Sequence, residues 1–347
     1  MLGFSVYLSN VNESYIQKMI SYGFTTIFTS LQIPEEDIED KFTKLKELKS
    51  IAGQNVKIIV DINSTIFQQI EDEDRCGSHS GLDAIRFDES IDIEKLLHWS
   101  NHADIVLNAS TDGLNILRSL KSHAFDFSKV YIAHNYYPRP ETGLDTHFFR
   151  KVNKEIKSEF PGINIMAFIS GNELRGPVFK GLPTLEDHRF MHPIVAYQEL
   201  KSLDVDVVMI GDTAINDFTI YQFSQYITSG TITLRADIID DYKHIYDVAF
   251  NNRLDVARDV IRAEQYRKLN QDVVEPNHIG ERLKGSITLD NRLYGRYMNE
   301  LQITKVDLAE NEAVNVIGNI SEEDIPLIDL IKSGTKFKFV RGVEDGY

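Results

Sequence analysis

A (β/α)8 TIM barrel followed by a small, mainly β domain is the fold the sequence predicts, on three observations. Eight short apolar runs alternate with amphipathic helical segments between residues 1 and 229, the pattern of a parallel sheet closed through crossover helices. No G-x-G-x-x-G or G-x-x-x-x-G-K-[ST] follows any of these runs, so a doubly wound nucleotide-binding sheet lacks its fingerprint. After Gly230 the helical spacing gives way to period-two, strand-like runs. The expected division is 1–229 for the barrel and 230–347 for the β domain.

The elements follow in order. Phe4 to Leu8 is a short apolar strand, and a helix from Glu13 to Tyr22 ends at Gly23 as its C-cap. Thr25 to Ser30, rich in β-branched and aromatic residues, is the second strand. Pro34 opens a helix with Glu35, Glu36 and Asp37 in its first turn and Ile38, Phe42, Leu45 and Leu48 inward. Lys57 to Val60 ends in Asp61, Ala84 to Asp88 carries charge at its end, and Asp104 to Leu107 ends at Asn108. Val130 to Ala133 stops abruptly at His134-Asn135-Tyr136-Tyr137-Pro138. A helix with Phe148, Phe149, Val152, Ile156 and Phe160 inward leads to Asn164 to Ile169, and Val205 to Ile210 runs into Gly211-Asp212. Beyond Gly230, strands are expected at Thr231 to Arg235, Gly285 to Leu289, Leu301 to Val306, Ala313 to Ile317 and Phe337 to Val340, with a helix from Arg253 to Arg267.

The net charge of −16 repels phosphodiester backbones, which argues against nucleic acid as a partner. One cysteine, Cys76, allows no intrachain disulfide, and no apolar segment approaches bilayer length, so no membrane partner is expected. The amino terminus lacks a basic region and an apolar core, so the expected setting is cytoplasmic. No H-E-x-x-H or cysteine cluster supports zinc; neither a metal nor another cofactor is expected. A homo-oligomer is compatible with the composition.

In a barrel, residues just past the strands converge on one mouth. Asp61, Arg86, Asp88, Asn108, His134, Asn135, Tyr137, Glu186 and Asp212 stand there. Each has a plain structural alternative. Asp61, Asp88 and Asn108 are open to capping the following helices, His134 to a core role, and Arg86 with Asp88 to a structural ion pair. Their coincidence on consecutive strands favours a convergent polar site, and paired carboxylates suit glycoside chemistry, one protonating the leaving oxygen while the other attacks, activates water or orients an internal nucleophile. The loop Gly176 to Arg189 follows the seventh strand. Thr184 and Asp187 read as a capping-box variant there, and His188 and Arg189 are placed to support an anion. In the β domain Arg235, Tyr294, Gly295, Arg296 and Glu300 stand out.

Several segments carry a family resemblance: Gly3-Phe4-Ser5-Val6-Tyr7, Ile85-Arg86-Phe87-Asp88, His134-Asn135-Tyr136-Tyr137-Pro138, Leu182-Pro183-Thr184-Leu185-Glu186-Asp187-His188-Arg189, Ile210-Gly211-Asp212 and Asn299-Glu300-Leu301-Gln302-Ile303. In them the chain resembles the MupG-type 6-phospho-N-acetylmuramidases. Where the family commonly reads Arg-Leu-Asp, this chain has Arg86-Phe87-Asp88, which leaves the charges intact. The resemblance implies a TIM barrel with a C-terminal cyclophilin-like β-barrel. It also implies cytoplasmic cleavage of the β-1,4 bond of N-acetylmuramic acid 6-phosphate–N-acetylglucosamine in peptidoglycan recycling. Under it, Asp61, Asp88, Asp212 and Glu186 are the catalytic candidates, with the substrate's N-acetyl oxygen as a possible internal nucleophile. Tyr7, Arg86, Asn108, His134, Asn135, Tyr137, His188, Arg189, Arg235 and Arg296 are the substrate-binding candidates, Arg189 and Arg296 for the phosphate or the lactyl carboxylate. A sugar-phosphate aldolase or isomerase on the same barrel, or a non-catalytic carbohydrate-binding protein, are the alternatives; no expected barrel strand ends in the lysine that a Schiff-base aldolase needs.

Overall fold

The computed structural model describes residues 1–33, 41–75, 82–88, 91–123 and 125–342. The expected helix start at Pro34 to Ile38, and Cys76, lie outside the described residues. The chain divides into two compact units, Met1–Ile220 and Tyr221–Tyr347.

The first unit contains eight parallel strands: β1 (Leu2–Ser5), β2 (Thr26–Ser30), β3 (Lys57–Ile62), β4 (Ala84–Phe87), β5 (Asp104–Asn108), β6 (Val130–Ala133), β7 (Asn164–Ile169) and β8 (Val207–Ile210). Each pairs with the next and β8 pairs with β1, closing the barrel. The alternating helices are α1 (Glu13–Ser21), α2 (Lys41–Ala52), α3 (Ser64–Arg75), α4 (Ile93–Trp99), α5 (Gly113–Leu120), α6 (Thr146–Glu159), α7 (Pro193–Ser202) and α8 (Asp217–Ser229), and the division between the units falls inside α8.

Strand residues in a parallel barrel are buried on both faces, so phase rather than exposure separates lumen from helix layer. Phe28, Ile59, Ala84, Val106, Tyr131, Ala133, Met166, Phe168, Val207 and Met209 form one cluster, the packed lumen. Counting on in steps of two, the same phase carries Ser30 and Gln32, Asp61, Arg86 and Asp88, Asn108, and Asn135 to the carboxyl end of the barrel. Register sets some of these side by side: Ser30 lies opposite Asp61, and Asp61 opposite Arg86. β3 runs two residues further than its apolar core suggests, which places Asp61 within the strand.

In α6 the buried residues are Phe149, Asn153 and Ile156, with Val152 half-buried. Phe148, expected inward, is 53% exposed: the Asp145 cap, which accepts the Phe148 N–H at 2.8 Å, starts the helix in a phase that turns this ring outward.

The second unit is a seven-stranded sheet of β9 (Thr231–Ile238), β10 (Ala249–Asn251), β11 (Val260–Arg262), β12 (Ser286–Asp290), β13 (Leu301–Thr304), β14 (Val314–Ile320) and β15 (Lys336–Arg341). The order is β10-β15-β9-β14-β12-β13-β11. A bridge between Asn252 and Ala263 links the two edge strands, so the sheet nearly closes on itself. The helix expected over Arg253 to Arg267 is a correction. Val260 to Arg262 pairs antiparallel with β13, and only α9 (Tyr266–Leu269) is helical. Ile261 and Ala263 are buried while Val260 and Arg262 are half-buried, and this alternation, satisfied by a partner strand, prevails over local helix propensity.

Candidate active site

At the carboxyl end of the barrel a hollow of about 270 Å³ opens between Phe28, Ile33, Tyr136 and Phe168, with Ser30, Gln32, Asp61, Arg86, Asp88 and Asn135 as its polar lining. Its volume is at the lower end of small-molecule sites. Phe168 packs edge-on against Phe28 and Tyr136, with ring centroids 5.2 Å apart in each pair, so the aromatic wall is held by its own geometry.

Arg86 organises the polar side. Its Nη1 donates to Asp61 Oδ1, and its Nη2 donates to Asp88 Oδ1 at 3.0 Å and to Asn135 Oδ1. Burial works against the Arg86 charge, but Asp61 and Asp88 outweigh it and push its pKa up. Asp61 is fully engaged, since its Oδ2 accepts Ser30 Oγ–H at 3.0 Å and Gln32 Nε2–H at 2.6 Å. Asp88 is different: Oδ1 takes Arg86 and, at 3.3 Å, Asn108 Nδ2, whereas its side chain is 43% exposed and its Oδ2 meets no donor among the described residues. One carboxylate is thus structural in its bonding and the other is presented to the hollow. Burial lifts the Tyr136 hydroxyl to about 12, so this wall residue stays neutral and able to donate.

The other expected site residues are placed as follows. Asn108 accepts the Ser110 N–H at 2.9 Å, a local turn, while donating to Asp88; it does not cap the following helix, whose N-cap position is Asp112. Tyr137 reaches Ser110 Oγ at 3.4 Å and does not line the hollow. Tyr7 donates to the Gly211 carbonyl and packs with Ile33, Leu182 and Tyr136.

His134 is out of phase with Tyr131 and Ala133 and points from the lumen into α6. Its ring lies 4.3 Å from that of Phe149, and Nε2 is 2.7 Å from Asn153 Oδ1. Because Asn153 Nδ2 donates to the Leu203 carbonyl at 2.7 Å, its Oδ1 must accept from His134, which assigns the ring proton to Nε2. Burial holds the imidazole at about 4, neutral. The expectation that His134 holds sugar is corrected to a core histidine.

Asp212 is likewise out of phase. Its Oδ2 accepts the Gly171 and Leu182 N–H groups at 2.9 and 3.0 Å, and its Oδ1 accepts the Arg175 N–H at 3.0 Å. It pins the loop after β7 and is not among the residues that line the hollow. Glu186 is a second pin. It accepts the Glu141 and Gly143 N–H groups at 2.9 and 2.8 Å and pairs with Arg189, which holds its carboxyl down at about 2. A Cβ on Gly143 would lie 2.6 Å from Glu186 Oε2, so the approach requires glycine.

Arg189 is buried, donating to Glu186 and to the carbonyls of Tyr137, Arg139 and Gly181, which leaves it no donor for an anion. His188 is buried 3.3 Å from Glu199, with its pKa lowered by burial. Thr184 caps no helix: its hydroxyl bridges the Asn135 carbonyl and the Phe168 N–H, both at 2.9 Å, and the following Glu186–His188 is a single 3-10 turn. In the second unit, Arg235 is bound to Asp324 and Glu323, and Arg296 is exposed beside Tyr297. Sequence reasoning missed Ser30 and Gln32, which the lumen phase would have found, and Tyr136, which lies out of that phase and reaches the hollow by packing on Phe168.

Among the described residues no group of three or more His, Cys, Asp or Glu side chains is arranged to hold a metal, and no helix is long and apolar enough to cross a membrane.

A closed parallel barrel with a polar, aromatic-walled hollow at its carboxyl end is the arrangement in which such barrels carry enzyme active sites. Comparison with known proteins agrees. The chain belongs to the 6-phospho-N-acetylmuramidase family, whose N-terminal model matches residues 2–225 and whose C-terminal model matches residues 231–340. The enzyme is therefore a glycosidase, and the family implies a phosphorylated sugar as its substrate. A crystal structure of a conserved protein of unknown function from Enterococcus faecalis is 39% identical, with a TM-score of 0.86 over 98% of this chain and 96% of that one. An uncharacterized B. cereus protein is 25% identical, with a TM-score of 0.72 over 98% and 99% of the two chains. No curated protein matches.

Proposed function

We propose that this enzyme hydrolyses the β-1,4 bond of N-acetylmuramic acid 6-phosphate–N-acetylglucosamine, in the cytoplasm and in the course of cell-wall recycling. The observation that carries the reading is the Asp61–Arg86–Asp88 cluster in an aromatic-walled hollow at the end of the barrel where chemistry resides. Asp88, with one oxygen toward the hollow, donates a proton to the glycosidic oxygen as its bond to the anomeric carbon breaks and N-acetylglucosamine leaves. Asp61 and Arg86 hold it in place and set the local field, and Asn135 and Tyr136 orient the ring. The N-acetyl oxygen of the substrate attacks the anomeric carbon as that bond breaks, and a water deprotonated by Asp88 then opens the cyclic intermediate, which suits a site with a single free carboxylate oxygen.

The test is incubation with the disaccharide, with and without its 6-phosphate, followed by chromatography of the products. Release of N-acetylglucosamine from the phosphorylated form alone supports the proposal; intact disaccharide in both arms refutes it.

A further inference from the structure

A phosphorylated muramic acid carries oxyanions, and in the barrel unit Arg189, the arginine expected there to meet them, has no free donor, nor has Arg86. Arg86 is committed to Asp61, Asp88 and Asn135, and Arg189 to Glu186 and a set of backbone carbonyls. Arg175, in the loop after β7, is in a different position. Its guanidinium carbon lies 4.2 Å from the centroid of the Tyr7 ring, and no carboxylate or carbonyl among the described residues accepts a hydrogen bond from it. Tyr7 packs with Tyr136, and Tyr136 is a wall of the hollow, so this cation sits one aromatic ring away from the cavity edge.

The position is built. The Arg175 N–H is fixed by Asp212 Oδ1, while Asp212 Oδ2 ties down Gly171 and Leu182 at the two ends of the same loop. A carboxylate occupied by three backbone donors fixes where the arginine emerges without taking its donors. A stacked, half-buried guanidinium with its N–H groups unengaged matches a bidentate oxyanion in both charge and shape.

We propose that Arg175 binds an oxyanion of the substrate, phosphate or carboxylate, at the Tyr7–Tyr136 edge of the hollow, an assignment that rests on the hydrolysis proposed above. Asp212 and Tyr7 are its positioning residues.

The experiment measures kcat and KM for wild type, Arg175→Gln and Arg175→Lys. Three substrates are used: the phosphorylated disaccharide, its dephosphorylated form, and the phosphorylated form lacking the lactyl group. Arg175→Gln, whose side chain still packs on Tyr7, is expected to lose roughly 10- to 100-fold in kcat/KM on the full substrate, with Arg175→Lys recovering part of it. If phosphate is the ligand, the variant no longer discriminates against the dephosphorylated form; if carboxylate is, it no longer discriminates against the form lacking lactate. Retention of both discriminations by Arg175→Gln overturns the proposal. Should wild type cleave none of the three, the hydrolysis reading fails by itself. Inorganic phosphate then decides the anion site: a rise in melting temperature in wild type that Arg175→Gln lacks supports it, and equal or absent shifts overturn it.

Discussion

Replacing Asp61 by Asn separates the organising role of this carboxylate from that of Asp88. Asp61 and Arg86 are both buried, and each Asp61 oxygen is occupied: Oδ1 by Arg86, Oδ2 by Ser30 and Gln32. Asn has nearly the same shape but removes the charge, and its amide turns a donor toward other donors. Breaking a buried ion pair costs about 3–5 kcal/mol; Asp88 still partners Arg86 at 3.0 Å, so the lower figure, about 3 kcal/mol, applies. In a unit of this size that lowers the melting temperature by about 6–12 °C. Asp88→Asn, at a half-exposed and solvent-screened position, costs about 1 kcal/mol or less. The assay is urea unfolding followed by the fluorescence of Trp99, the only tryptophan in the chain, which is buried against Phe67 and reports the barrel unit. A change below about 0.5 kcal/mol in Asp61→Asn would show that Arg86 is not held by Asp61, and the description of the cluster would be wrong.

Further outcomes are expected from the buried titrating groups. His134 is neutral in the fold, with its pKa lowered from 6.5 to about 4 by burial, so its stabilisation is complete above pH 6.5 and is lost as pH falls toward 4. About 3 kcal/mol is at stake, and in His134→Leu the slope of stability against pH over that window should fall by close to one proton. Trp99-monitored unfolding at pH 7 and pH 5 reads it; an unchanged slope contradicts the buried neutral ring. In the second unit, burial and the Glu300 charge raise the Asp290 carboxyl to about 7, so its contribution is present at low pH and lost as pH rises through 7. Asp290→Asn should therefore stabilise this unit more at pH 8 than at pH 4, read by native-state amide exchange of β12 and β13. Glu186, held at about 2 by Arg189 and backbone amides, stabilises the loop above pH 4.5 and loses that effect between pH 4.5 and 2; Glu186→Gln should flatten acid unfolding in this range.

The barrel was readable because each strand is an apolar run that must be buried on both faces, and the helices between them carry their own caps and stripes. The site was readable only in part. Asp61, Arg86, Asp88 and Asn135 were found because charge or amide at a strand end is conspicuous, but His134 and Asp212 are equally conspicuous and serve the helix layer and a loop. What separates the two groups is the period-two phase set by lumen residues such as Ile59, Ala84 and Ala133, and a fully buried parallel strand hides that phase because both of its faces are apolar. Tyr136 and the role proposed for Arg175 were missed for another reason. Their roles come from packing on Phe168 and Tyr7, residues distant in sequence. The helix expected over Arg253 to Arg267 failed because the antiparallel partner that claims Val260 to Arg262 lies some forty residues further on, in β13.

The most direct measurement is kcat/KM for the phosphorylated disaccharide in wild type and in Asp88→Asn, with melting temperatures alongside. The barrel-end glycosidase described here predicts turnover by wild type and a loss of roughly 10²- to 10⁴-fold in Asp88→Asn at nearly unchanged stability. Wild-type rates in Asp88→Asn would contradict it.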